Sequence, residues 1–419
     1  EDTYTLRATF PKRIEPIKLI FAKVPIVSKI SFSERAVKVG LNDTYSLDTA
    51  PDNIVSSGPF VLKSYIPDKQ IELSYNKYYW KVDSSGTSLP YLDQVTYALK
   101  TPTENQLTSF TRSELHLMKV LPKDIQKLNE GGQFKVADLG TSVNTWQLVL
   151  NWRADQKKID PTKATWFRIP GFRNGLMYAV DRNRIVKEVF DSKAKVAYNQ
   201  VSPANTTWYN SDINRPEYNL ETAKASITKV GFQFDGSGNL KYMGGRVTRF
   251  TITHINDYIP TQIANRLVED LKKVGVEAEA DPKDYKTFWK IANLGTFDTL
   301  LVQATPMFSD PAFLHPYLTK RGKYFWFYET GQGSTRLVGA GEGWMDKIST
   351  RMGEAITKVL LSERRELYNQ IQADWNLSAP VVYIASDNVI TASQKVIGNF
   401  KPATLEPSLT WNIEEFYIK

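Results

Sequence analysis

The stretch FDTLLVQATPMFSDP, from Phe297 to Pro311, begins as a buried strand and ends as a loop. Leu300, Leu301 and Val302 form a short apolar run of the kind a parallel sheet buries on both faces. After them Gln303, Thr305 and Ser309 bring polar groups to the carboxyl end, where open α/β sheets hold their ligands. Pro306 and Pro311 prevent the segment from continuing as strand or helix. A strand that delivers a recognition loop is expected.

The residues before it extend this reading. Arg249–His254 (RFTITH) alternates as a strand, and Pro260–Lys273 carries Ile263, Leu267 and Leu271 at helical spacing. Gly275 ends that helix and Val276–Ala280 reads as a second strand. Strand, helix, glycine and strand make a βαβ unit with a right-handed crossover. The fold class is therefore α/β.

At 419 residues the chain exceeds one ordinary core, and two lobes are expected. Hydrophobic residues at 42% and charged residues at 23% describe a globular protein, and no window has the apolar length of a bilayer span. The net charge of +8 is spread among nearly as many acids, which reads as a solvated surface. No nucleic-acid partner is expected, because no basic block concentrates on one tail or face. The chain has no cysteine, which removes disulfides, thiolate chemistry and cysteine metal sites.

Along the chain, Asp2–Phe10 alternates as a strand. Gly58–Tyr65 and Gln70–Tyr75 form a hairpin around Pro67-Asp68, Tyr91–Leu99 is a strand, and Thr103–Arg112 and Pro122–Leu128 are helical. Asn144–Asn151 is a buried strand, Phe172–Phe190 two helices with Asp181 capping the second, and Leu220–Val230 a helix. Asp235–Asn239 reads as a hairpin turn rather than a calcium loop, since the later carboxylate ligands are missing. Trp344–Val359 and Glu363–Leu377 read as amphipathic helices, Pro380–Ala385 as a buried strand and Asn412–Ile418 as a terminal strand.

Four of these motifs, in this order, resemble the solute-binding proteins of bacterial oligopeptide- and dipeptide-type ABC importers (extracellular solute-binding protein family 5). Gly58–Trp80 is similar to their hairpin from a G-P-[FY] turn to N-x-x-Y-W, and Phe172–Phe190 to their F-R-x-x-[LI]-x-Y-A-[IV]-D-R helix. Leu220–Phe232 and Phe297–Pro311 resemble their A-K helix and F-D…D-P loop. The resemblance implies a two-lobed periplasmic-binding-protein-like fold whose hinge strands, here Asn144–Asn151 and Pro380–Ala385, allow closure on a ligand. It implies a first lobe of residues 1–148 with 386–419, incomplete at its N-terminus, and a second lobe of residues 149–385. It also implies an extracytoplasmic monomer, lipid-anchored through a removed N-terminal segment, that delivers solute to an ABC importer permease.

Oligopeptide is the first ligand class implied. Such receptors often hold the peptide's amino terminus on an aspartate in the loop, where this chain has Met307. A desolvated amine needs an acidic partner, so Asp310 must substitute or the ligand has no amine. An oligosaccharide is the alternative, and aromatic faces suit it. The ligand-binding residues expected are Trp146, Asn151, Tyr285, Trp289, Gln303, Ala304, Thr305, Met307, Phe308 and Asp310. For any single aromatic, including the run Phe325–Tyr328, core packing is the competing reading.

No enzyme is expected. His116, His254 and His315 share no metal-ligand spacing, no G-x-S-x-G elbow occurs, and Gly339–Gly343 lacks dinucleotide-loop spacing. No cofactor or metal is expected, and a glycoside hydrolase is the remaining enzymatic alternative. Glu363 and Glu366 beside Arg364 and Arg365 read as surface ion pairing.

Overall fold

The computed structural model describes residues 5, 7–15, 26–40, 44–99, 103–152, 159–305, 310–314 and 343–419. The chain forms two units, one of Glu1–Leu19 with Gly140–Asn388 and the other of Ile20–Leu139 with Val389–Lys419. Beyond residue 20 the division falls after Leu139 and after Asn388; the expected division lay after 148 and 385.

Ile20–Leu139 starts with α1 (Lys29–Val39), capped by the Ser28 hydroxyl. The expected hairpin is β1 (Phe60–Ile66) with β2 (Gln70–Tyr75), turning at Asp68 in a left-handed conformation. β3 (Gln94–Ala98) pairs antiparallel to β2. Asn76 explains the spacing from the G-P-F turn. Its side-chain amide donates to the Gly58 carbonyl at 2.7 Å and the Ser56 carbonyl at 3.3 Å, and its backbone N–H donates to Pro59. A buried amide at the strand's end thus closes the hairpin on its own entry. α2 (Glu104–Thr111), β4 (Leu117–Lys119), α3 (Ile125–Asn129) and β5 (Phe134–Thr141) follow. A 3-10 turn at Pro122–Asp124 occupies the first part of the helix expected over Pro122–Leu128.

In Gly140–Asn388 the chain runs through β6 (Thr145–Leu150), α4 (Pro161–Arg168), α5 (Pro170–Ala179), α6 (Arg182–Val189), β7 (Ala194–Val196) and α7 (Leu220–Thr228). The hairpin of β8 (Phe232–Phe234) and β9 (Leu240–Tyr242) comes next. Its Asp235–Asn239 turn is tied by the Asp235 carboxylate to the Ser237 and Asn239 N–H groups. β10 (Arg249–Ile255), α8 (Tyr258–Lys272), β11 (Glu277–Lys283), α9 (Tyr285–Leu294) and β12 (Thr299–Ala304) follow, then α10 (Trp344–Ala355), α11 (Leu361–Ser378) and β13 (Val381–Gln394). β10 pairs in parallel with both β11 and β12, β12 pairs antiparallel with β6, and β6 antiparallel with β13. The strand order is β11-β10-β12-β6-β13.

The residues of the F-R…D-R motif hold this layer together. Arg173 is fully buried and donates to the carbonyls of Phe167 and Arg168, at the end of α4, and of Ser378 and Ala379, at the end of α11. Its guanidinium lies 4.0 Å from the Trp152 ring centre. Arg182 donates likewise to Met177 at the end of α5 and to Tyr383 on β13. Helix carboxyl ends are partly negative and carry unsatisfied carbonyls, so a forked cation with five donors suits them. Burial still costs these cations something: it lowers the Arg173 pKa to about 9 and the Arg182 pKa to about 10.

On the same helix as Arg173, Gly171 and Gly175 allow α5 to lie against α7. A Cβ on Gly175 would stand 2.3 Å from Ile227 Cγ1 and 3.0 Å from the Ala223 carbonyl.

In Val389–Lys419 the later half of β13 pairs with β4, and Ile390 and Ala392 join Phe110, Met118 and Leu128 in a small core. β14 (Ile397–Gly398) pairs with β15 (Tyr417–Ile418), so the expected terminal strand covers only its last residues. The strand expected over Asp2–Phe10 is not formed by its described residues, Thr5 and Arg7–Phe10.

Candidate ligand-binding site

The chain passes from β10 to β11 on one side and then to β12 on the other, which makes the carboxyl end of β10 a topological switch point. β6 runs the other way, so its amino end lies at the same edge, as does the Ala385–Asp387 part of β13. The register fixes the neighbours: Gln303 is opposite Trp146, and Ala304 opposite Thr145. Cross-strand partners point to the same side of a sheet, which puts Gln303 and Trp146 together.

Trp146 is half-buried, and its indole Nε1 is buried without a hydrogen-bond partner among the described residues. The Gln303 Nε2 donates to the Asp387 carboxylate at 2.6 Å. Thr145 and Ser386 share a hydroxyl bond of 3.3 Å, and the Ser142 N–H donates to the Asp387 carbonyl at 2.9 Å. Thr305, the last described residue before Asp310, is exposed. An oriented carboxylate, a carboxamide and an indole are therefore assembled at one edge.

α9 starts from the carboxyl end of β11 at the same edge. Asp284 caps it by accepting from the Thr287 N–H, and bonding to Thr287 holds the Asp284 carboxyl below its usual range. Tyr285 is 66% exposed, while Trp289 is half-buried against Phe288 with ring centres 5.3 Å apart. Tyr285 thus offers a ring face to solvent, and Trp289 is partly committed to the core. On β10, His254 is fully buried, with Nδ1 2.9 Å from the Ile255 carbonyl and Nε2 unpartnered among the described residues. Burial lowers its pKa, opposed by the Ile255 carbonyl and the Asp281 charge. Among the described residues no cluster of three or more His, Asp or Glu could hold a metal ion.

Two expected site residues are engaged in structural contacts. Asn151 is at the far end of β6, roughly 17 Å from Trp146 by the rise of an extended strand. It is buried, and its amide donates to the carbonyls of Gly295 and Phe297 at 3.0 and 2.7 Å, anchoring the turn into β12. Asp310 is buried in an ion pair with Arg364 at 2.8 Å and also caps Ala312. Arg364 also donates to Ala355 and lies 5.0 Å from the Trp208 ring centre and 5.8 Å from that of Tyr368. Burial, with the Asp310 charge, raises the Tyr368 hydroxyl to about 12. Arg364 is thus no surface partner of Glu363, which pairs instead with Lys358 at 3.8 Å. Met307, Phe308, His315 and Phe325–Tyr328 lie outside the described residues.

Sequence reading overlooked Asp387, because the apolar run Val381–Ala385 seemed complete before it. The S-D-N tripeptide directly after such a run is the signal that was there to use.

The sequence model of bacterial extracellular solute-binding proteins, family 5 Middle, matches residues 1–325. A probable ABC transporter-binding protein of Deinococcus radiodurans is 28% identical over 66% of this chain and 48% of its own length. The periplasmic alpha-galactoside-binding protein of Rhizobium meliloti is 25% identical over 76% of this chain and 48% of its own length. The chain thus spans about half the length of these curated relatives. The structure of the oligopeptide-binding protein AppA from Bacillus subtilis, in complex with a nonapeptide, superposes with a TM-score of 0.80 at 20% identity, covering 98% of this chain and 75% of AppA. That likeness establishes the fold as the two-lobed α/β fold of periplasmic binding proteins.

Proposed function

The chain belongs to the bacterial extracellular solute-binding proteins, family 5, and from that premise we propose that it acts as the solute receptor of an ABC importer for oligopeptides. It binds its ligand at the carboxyl edge of β10 and β12 and carries out no turnover. The observation that carries the peptide reading is the Asp387 carboxylate, oriented by Gln303 next to Trp146. An oriented carboxylate suits a peptide's ammonium group, and Asp310 is already engaged by Arg364. The receptor works outside the cytoplasmic membrane, as a monomer that hands its solute to a membrane permease.

The second reading is an oligosaccharide receptor. It is favoured by the exposed Tyr285 ring, the half-buried Trp146 and the galactoside-binding relative. Native mass spectrometry of the protein as purified separates the two. A retained mass matching peptides supports the first reading, one matching a hexose oligomer replaces it with the second, and hydrolysis of a retained sugar would make the chain an enzyme.

A further inference from the structure

β13 changes partner where it carries Asp387. Up to Ala385 it is paired with β6, with an irregular register between Tyr383 and Ala385, and from Ala385 to Asp387 it is paired with β7. An irregularity of this kind turns the residues beyond it, so the direction of the Asp387 carboxylate depends on what holds the main chain there. Ser142 supplies such a hold from the turn between β5 and β6: its N–H donates to the Asp387 carbonyl at 2.9 Å. Beside it, the Thr141 hydroxyl donates to the Asn388 side-chain oxygen at 3.2 Å. The Asp387 carboxylate then meets the Gln303 amide at 2.6 Å, and Gln303 is the cross-strand partner of Trp146.

Ser142 is fully buried, and its other polar groups are engaged as well. Its hydroxyl accepts from the Asn144 N–H at 3.2 Å, and its carbonyl accepts from the Ser202 hydroxyl at 2.7 Å. Ser202 is equally buried and accepts from the Ala204 N–H at 3.2 Å. The segment that brings it there is fastened upstream. The Ala197 N–H donates to Ile384 on β13, the Tyr198 carbonyl accepts from Asn376 at 2.9 Å, and the Asn199 amide donates to Gln372 at 3.3 Å. Asn376 and Gln372 belong to α11, so Ser202 ties the turn that enters β6 to a segment anchored on that helix.

We propose that Ser202 is a positioning residue for the amino terminus of a bound peptide: its hydroxyl fixes Ser142, Ser142 fixes the Asp387 main chain, and the carboxylate is thereby aimed at the ligand edge before ligand arrives. This deepens the peptide-receptor reading and rests on it. Both serines are sealed from solvent, so they act on the ligand through Asp387 and not by contact. A charge-assisted bond between carboxylate and ammonium depends on distance and direction, and a carboxylate held in place beforehand leaves little ordering to offset on binding. Without the Ser202 hydroxyl the Ser142 carbonyl is left buried and unsatisfied. The turn then shifts towards another donor and carries the Asp387 main chain with it, which loosens the aim of the carboxylate.

The test is Ser202→Ala, made in wild type and in Asp387→Asn. Each protein is titrated by calorimetry, well below its own Tm, with tetra-alanine carrying a free amino terminus and with the N-acetylated form. In the wild-type background the affinity for the free-amine peptide is expected to fall roughly 5- to 20-fold, about the worth of one hydrogen bond to a charged group, while that for the acetylated peptide stays within about twofold. In Asp387→Asn the same substitution is expected to change neither affinity by more than about twofold, because the carboxylate it positions is gone. Equal losses for the two peptides, or the same loss with and without the Asp387 carboxylate, would make Ser202 a structural residue only, and an unchanged free-amine affinity would remove its role. Each of these overturns the proposal and leaves the receptor reading intact. A wild type that binds the two peptides equally, or binds neither, overturns the peptide reading itself, and the role of Ser202 with it.

Discussion

Asp310→Ala removes the carboxylate from a pair in which both side chains are under a tenth exposed and the charged atoms are 2.8 Å apart. What remains is a buried guanidinium whose other contacts among the described residues are the Ala355 carbonyl and the ring faces of Trp208 and Tyr368. An uncompensated buried charge of this kind costs about 3–5 kcal/mol, and for a unit of this size about 2 °C of Tm per kcal/mol follows, so a fall of about 6–10 °C is expected. Asp310→Asn keeps an acceptor for Ala312 and should lose about half as much. In Asp310→Ala/Arg364→Met both charges are gone, and stability should recover by at least ~2 kcal/mol relative to the sum of the single changes. Differential scanning calorimetry on the four proteins measures this, with peptide affinity of the Asn variant determined in parallel and expected to stay within about threefold, a difference of under ~0.7 kcal/mol. Additive losses, or a Tm within 2 °C of wild type for Asp310→Ala, would refute the buried-pair argument. A large loss of affinity without loss of stability would return Asp310 to the ligand site.

Other consequences follow from the same contacts. Arg173→Lys keeps the charge but cannot reach the ends of both α4 and α11 with one ammonium, so about 2–4 kcal/mol should be lost in urea unfolding; a midpoint equal to wild type would contradict the clamp. His254 is held below the ordinary value of 6.5 by burial, so the unfolded chain takes up its proton first. Its stability contribution is complete above pH 6.5 and is lost as pH falls towards the folded value, with a slope of at most about 1.4 kcal/mol per pH unit. His254→Gln should flatten this part of the stability profile, and an unaltered profile would remove His254 as its source. Gly175→Ala should destabilise the α5–α7 contact by about 1–3 kcal/mol, because the backbone of Ala223 has no room to yield; a neutral result in thermal melts would show that α5 shifts freely.

Much of the fold could be read from local pattern. Phe297–Val302, Arg249–His254 and Pro260–Lys273 carry their periodicity openly, and Gly275 stops the helix with a φ of +75° that other residues avoid. β13 was read too short. Its run of apolar residues ends at Ala385, but Ser386, Thr391 and Ser393 remain buried, so the strand extends through polar residues whose partners lie elsewhere in the chain. Arg364 was misread for a related reason: with Arg365 it was placed on an exposed helix face among Glu363 and Glu366, whereas its partner Asp310 is distant in sequence and close only after folding. Trp146 and Gln303 could be named separately, but that they face one another depends on the antiparallel register of β6 and β12, which neither segment encodes alone.

The most direct test of the receptor account is calorimetric titration of tetra-alanine with a free amino terminus, and of its N-acetylated form, into wild type and Asp387→Asn. The account predicts that wild type prefers the free amine by about 2–5 kcal/mol, as for one partner of a desolvated charge pair, and that the preference disappears in the variant. Equal binding of the two peptides by wild type, or binding of stachyose alone, would contradict it.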